Sequence, residues 1–122
     1  MDSIKLYGTT SSGGALTVQS DSNVKGKLEY VEWIDGDLAD GVDAVLSCVR
    51  NDNAADLTLL TLTDANNDQV YIPRGVVHSV AGVAQTLTPG DGRLLVNGQL
   101  KLVVSSGGNA KTGGCIVYVC DD

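Results

Sequence analysis

The sequence predicts a single all-β domain, an antiparallel β-sandwich of eight or nine strands with Greek-key or jelly-roll-like connections. Three observations carry that expectation. Short Val-, Leu- and Thr-rich segments recur about every eight to twelve residues, punctuated by Gly, Asn, Asp and Ser. Only residues 76–87 offer helical spacing, through Val76, Val80, Val83 and Leu87, and there the valines and Gly82 favour a loop with at most one turn. Finally, 122 residues leave room for one core, so residues 1–122 read as one domain without repeat or linker.

Taken in order, the first strands are expected at Ile4–Tyr7 and Ala15–Gln19, joined by a Gly/Ser-rich loop. Lys27–Ile34 is the clearest long strand. Leu28 and Tyr30 share one face until Glu32 breaks the phase, which suggests a bulge near Val31. Ala44–Arg50 and Asp56–Thr63 follow, the latter slipping at the Leu59-Leu60 doublet in bulge-like fashion. Asp64–Asp68 has the chemistry of a turn, since Asn and Asp tolerate left-handed backbone, and is expected to join Asp56–Thr63 to Gln69–Ile72 as a hairpin. Pro73 ends that strand because it brings no donor to a ladder. Thr88–Gly92 reads as a turn into Arg93–Val96. Asn97-Gly98 reads as a tight hairpin leading into Leu100–Ser105. A long flexible loop, Gly107–Gly114, precedes the last strand, Cys115–Cys120. That strand is apolar on both faces, Cys115, Val117 and Val119 on one and Ile116 and Tyr118 on the other, as expected of a strand covered at a subunit contact.

Charge excludes some functions and leaves others. The net charge is -7, Asp supplies 13 of the 15 acids, and the basic residues are scattered. Such a chain repels phosphate backbones, so no nucleic-acid partner is expected. Charged residues are only 19% of the chain, yet no apolar run approaches the roughly 18 residues of a membrane span. Few charges and ample aliphatics suit a protein whose surface is partly covered by a partner. Met1–Tyr7 lacks the pattern of a secretory leader, and three cysteines make a poor disulfide framework, so folding in a reducing cytoplasm is expected. Cys48 reads as core. Cys115 and Cys120 are five apart and fall on opposite faces of one strand, which prevents their pairing. Cys120, near the chain end, is a candidate for cross-linking subunits.

No catalytic set emerges. His78 is the single histidine, it has no nucleophile elbow to serve, and no C-x-x-C pair or phosphate-binding loop is present. No catalytic residue and no cofactor is assigned. The one metal candidate is the Asp35–Asp43 loop, where Asp35, Asp37, Asp40 and Asp43 place four hard-oxygen ligands in nine residues. It is similar to a calcium loop with one extra residue before the third Asp, and Leu46 stands where a bidentate Glu would close the site. The other reading is an acidic turn, with Asp and Gly present for geometry and solubility.

Three loop phrases carry a resemblance. Asp37-Leu38-Ala39-Asp40-Gly41-Val42-Asp43, Tyr71-Ile72-Pro73-Arg74 followed by His78 and Gly82, and Gly107-Gly108-Asn109-Ala110-Lys111-Thr112-Gly113 before an apolar strand resemble small structural proteins of tailed-bacteriophage virions, of the capsid decoration (cement) type. The likeness spans residues 24–120. It implies a β-sandwich homo-oligomer, dimer or trimer, made in the bacterial host cytoplasm and bound through the major capsid protein to the outer surface of the head. The alternatives are a head-tail or tail component, or a carbohydrate-binding, adhesin-like module; Trp33, inside a strand, reads as core rather than as a sugar platform. The chain departs from the pattern in its three cysteines and its polar start, which makes residues 1–23 a candidate extended N-terminal arm.

Overall fold

A computed structural model describes residues 1–50, 55–75, 80–82 and 92–120. The strands are β1 (Asp2–Thr9), β2 (Leu16–Gln19), β3 (Val24–Ile34), β4 (Asp43–Arg50), β5 (Leu57–Leu62), β6 (Gln69–Tyr71), β7 (Leu95–Ser105) and β8 (Thr112–Cys120). Among the described residues there is no helix, and so none long and apolar enough to cross a membrane.

Pairing runs from the outside of the chain inwards: β1 with β8, β2 with β7, β3 with β6, and β4 with β5, all antiparallel. Folding such a ribbon over on itself places β8 between β1 and β3, and β7 between β2 and β4. The result is two four-stranded layers, β1-β8-β3-β6 and β2-β7-β4-β5, the connectivity of a jelly roll. Val24–Lys27 of β3 also pairs with Leu95–Gly98 of β7, so the layers join at one corner as a continuous sheet.

The core lies between the layers because alternate residues point inward. From one side come Leu6, Leu28, Val31, Trp33, Cys115, Val117 and Val119, and from the other Ala44, Leu46, Cys48, Val96, Leu100, Leu102 and Val104, all buried. Each large aliphatic withdrawn from water contributes about 1.5–3 kcal/mol before chain entropy is counted. Trp33 is fully buried and donates its indole N–H to the Ala65 carbonyl at 2.9 Å.

Several local expectations are corrected. Asn97-Gly98 makes no turn: β7 runs straight through it. Gly98 lies between Val24 of β3 on one side and Arg50 of β4 on the other, and the glycine is required by close approach to the Val49 carbonyl. Asp64–Asp68 makes no hairpin either, since β5 pairs with β4 and β6 pairs with β3. It crosses from one layer to the other, with Asp64 in left-handed backbone at φ 51°. The β3 bulge lies at Glu29, between the Leu28–Val119 and Tyr30–Tyr118 pairs, two residues before Val31. Leu28 therefore points inward and Tyr30 outward. The carbonyls loosened there are taken up by Arg74, which donates to Glu29 O at 3.1 Å and more weakly to Leu28 O at 3.4 Å. In β5 the slip falls on the Leu59-Leu60 doublet as expected: Leu46 pairs with Leu60 and Ser47 with Thr58, leaving Leu59 as the extra residue.

At the chain start, β1 pairs along its whole length with β8 and β2 pairs with β7, so residues 2–9 and 16–19 are built into the two layers. β8 begins at Thr112, three residues earlier than expected, which shortens the preceding loop to Ser106–Lys111. Most of the 76–87 segment, including His78, lies outside the described residues, as does most of the Thr88–Gly92 turn.

Candidate functional site

Two surfaces stand out, and the first is the end of the sandwich where four loops meet. Residues 10–15, 35–42, 63–68 and 106–111 are laced together there. Thr10, buried despite its hydroxyl, donates to Gly108 O at 2.6 Å and accepts from Lys111 N–H at 2.9 Å. Ala39 N–H donates to Gly107 O at 2.9 Å, and Gly107 N–H to Gly14 O at 2.9 Å. Two of the three loop phrases, 37–43 and 107–113, therefore interlock, and Leu38 packs where a side chain at Gly113 would stand. Gly107–Lys111 is thus tied at several points.

This end is acidic, and the carboxylates of Asp37, Asp43 and Asp68 act as fasteners. Asp37 Oδ1 accepts from Thr112 N–H at 2.5 Å and from Thr112 Oγ1 at 3.1 Å. Asp43 Oδ1 accepts from Asp64 N–H at 3.1 Å, Asp68 Oδ1 from Asp35 N–H at 2.8 Å, and Asn66 Oδ1 from Gly41 N–H at 2.7 Å. Asp40 is exposed. Asp35, Asp37, Asp40 and Asp43 do not converge: among the described residues no group of three or more His, Cys, Asp or Glu is placed to hold a metal ion. Calcium, compared with magnesium at matched ionic strength and with a chelator, is accordingly expected to leave the melting temperature unchanged. A rise specific to calcium would refute that geometry.

Two of these aspartates titrate in opposite directions. Asp35 Oδ1 is buried without a hydrogen-bond partner, and burial, followed by the charges of Asp68, Asp40 and Asp37, raises its pKa. Asp37 is held below the usual carboxylate range, chiefly by the Thr112 backbone N–H and then by the Thr112 hydroxyl. A raised folded pKa means that ionised Asp35 costs stability, and the cost fades as pH falls through that pKa. A depressed one means that Asp37 adds stability at neutral pH, lost as pH falls through its own value. Asp35→Asn is thus expected to melt above the wild type at neutral pH and Asp37→Asn below it, both gaps closing in acid. Melting curves across pH check this; a gap at Asp35 that widened in acid would contradict it.

The second surface is the outer face of the β1-β8-β3-β6 layer. Register places three rows across it. Ser3, Tyr118 and Tyr30 form one, Lys5, Ile116, Glu32 and Val70 the next, and Tyr7, Gly114 and Ile34 the third. Tyr30 and Tyr118 stack at 4.3 Å between centroids, Lys5 sits 4.8 Å over the Tyr7 ring, and the Tyr118 hydroxyl reaches Glu32 Oε2 at 3.4 Å. Burial first, then Glu32 and Tyr30, raise the Tyr118 pKa, so its phenol stays protonated at neutral pH. Val70 is 53% exposed and Tyr7 37%. None of the 13 aspartates falls in these rows. Among the described residues, all eight strands belong to the two layers, so no strand lies on top of this face. Parity in the sequence groups Ile116 with Tyr118 on one face of the last strand, but Lys5, Tyr30 and Glu32 join them only through long-range register. The opposite outer face has the row Thr17, Val103, Val45 and Thr61 at its centre, with Val45 and Val103 exposed but no aromatic or charged side chain among the four.

The thiols divide as expected. Cys48 and Cys115 are buried, and burial pushes the Cys115 thiol up to about 12, leaving it unreactive. Cys120 is half-buried on the outer face, opposite Lys27. A void of about 10 Å³ beside Trp33 and Cys115 is no larger than one water.

No family model, curated protein or solved structure matches the chain.

Proposed function

We propose that this chain is a non-catalytic structural protein of a tailed-phage virion, a decoration or cement protein that binds the outside of the head through the major capsid protein and stabilises the shell. The observation that carries the reading is the outer face of the β1-β8-β3-β6 layer, where exposed Tyr7 and Val70 adjoin half-buried Tyr30, Ile116 and Tyr118, a surface suited to cover by neighbouring protein subunits. The acidic balance of the whole molecule supports an exterior position, away from packaged DNA. The interlocked loop end supports a module held rigid for lattice contact rather than opened for substrate. The jelly-roll connectivity is compatible with this role and does not by itself select it, since the same architecture serves capsid proteins and lectins.

The test is co-sedimentation with heads assembled without this chain. The expected result is saturable binding in a large, regular copy number, with heads that retain DNA to higher temperature. Chain left wholly in the supernatant would overturn the proposal. The carbohydrate-binding reading finds no platform in buried Trp33 and would have to use Tyr30 and Tyr118; binding on a glycan array that disappears in Tyr30→Ala would favour it instead.

A further inference from the structure

We infer that the tyrosine-bearing face is the contact between two copies of this chain, packed face to face about a two-fold axis that runs along β8. The inference rests on the reading of that face as protein-covered, and names the protein that covers it.

The register makes the face complementary to itself. Lys5 and Glu32 are both paired with Ile116, one on each neighbouring strand. Rotation about an axis along β8 lays β1 of one copy over β3 of the other, because the two strands flank β8 on opposite sides, and the shared register keeps each row level. Lys5 then meets Glu32 twice, and Ile116 meets Ile116. In the next row Tyr118 meets Tyr118, while Tyr30 meets the small Ser3, so bulk falls opposite space. An axis placed between β8 and β3 would instead set both Glu32 carboxylates against isoleucine, an unpaired charge over an apolar side chain. Self-complementarity of this kind is what an isologous dimer requires.

Charge and area agree with this choice of occupant. The molecule carries a net -7, so two copies can approach closely only through a surface free of excess acid, and the three rows carry one Lys and one Glu. Three strands about 4.8 Å apart and nine residues of about 3.3 Å rise give roughly 400 Å² of plane per copy. The total, about 800 Å², lies below the roughly 1,000 Å² of a stable specific interface, which makes the dimer weak and concentration-dependent.

Sedimentation equilibrium of the intact chain over a wide concentration range tests the inference. The wild type is expected to pass from monomer to dimer. Lys5→Glu and Glu32→Lys each place like charges together twice, and each is expected to weaken the dimer roughly tenfold or more. The double change Lys5→Glu with Glu32→Lys restores opposite pairs and is expected to recover the wild-type constant to within about threefold. Lys101→Glu, on the other layer, serves as the control and is expected to change it little. A short bis-maleimide should join two copies through Cys120, which lies on the axis strand, and Cys120→Ser should abolish the link. A wild type that stays monomeric, a trimer, or a double variant no tighter than the single ones overturns the inference. So does loss of head binding by Lys5→Glu in a chain that is monomeric when free; that result returns the face to the capsid and leaves the proposed function standing.

Discussion

Trp33→Ala is expected to lower stability by about 4–8 kcal/mol, the largest effect of any single truncation in this chain. Removing a buried Trp side chain costs about 3–5 kcal/mol in lost transfer energy and residual cavity. The carbonyl of buried Ala65, which accepts the indole N–H at 2.9 Å, then loses its partner, adding about 1–3 kcal/mol. Relaxation into the gap is limited, because the neighbours Val31, Leu46, Leu102 and Cys115 belong to paired strands fixed by their ladders. Against a total of about 5–15 kcal/mol for a domain, such a loss leaves a large unfolded fraction at 25 °C. Trp33→Phe separates the two contributions: it keeps an aromatic ring in the core and forfeits the hydrogen bond, with an expected cost of about 1–3 kcal/mol. Urea unfolding followed by circular dichroism measures both. A loss under about 1 kcal/mol for Trp33→Ala would mean that the indole is not the link between the core and the Asp64–Asp68 crossover.

The difference between what the sequence disclosed and what it withheld follows the range of the interactions. Strand existence is local: period-two apolar patterning placed seven of the eight strands near their true positions and split only β7, at Asn97-Gly98, into two, and the Leu59-Leu60 doublet marked a bulge, because a strand's face is written in its own side chains. Pairing is not local. Asp64–Asp68 has the composition of a hairpin turn, yet its job is to carry the chain between layers, held by Trp33 and by the 35–43 loop, partners 21 to 33 residues away in sequence. The acidic loop was legible as a carboxylate cluster and illegible as a clasp, since Thr112, the partner of Asp37, lies 75 residues downstream. The same holds for the tyrosine face. Alternation puts Tyr30 on the same face as Leu28, and only the bulge at Glu29 turns it to the other face to meet Tyr118. Arg74, whose guanidinium caps that bulge, gave no signal beyond its neighbour Pro73.

Gly98→Ala is expected to cost on the order of 2–6 kcal/mol, and the size of the loss distinguishes a sheet corner from a hairpin. Asn-Gly between two apolar runs is the sequence pattern of a tight turn, and in a type I′ turn an Ala at the glycine costs only about 1 kcal/mol or so of backbone strain. Here Gly98 is buried in the middle of β7 at φ 155°. A β-carbon would overlap the Val49 carbonyl oxygen and lie 2.9 Å from its carbon and 3.2 Å from Arg50 Cα. These are backbone atoms of the paired strand, so no rotamer change relieves the clash. The unfavourable φ contributes about 1–3 kcal/mol, and forcing β4 away from β7 adds about 1–3 kcal/mol as overpacking. The damage falls where β7 passes from one layer to the other, so it weakens the β3 and β4 ladders together. Gly114→Ala repeats the situation at the Leu6 carbonyl, between β8 and β1 at φ 156°, and is expected to cost a similar amount. Gly13→Ala is the control: with no positive φ and Ser11 Oγ at 4.0 Å its nearest neighbour, it should be neutral or stabilising by up to about 1 kcal/mol. Denaturant midpoints for the three variants decide the matter. If Gly98→Ala behaved like Gly13→Ala, the strand would have to turn at Asn97 after all, and the corner that joins the two layers would be lost with it.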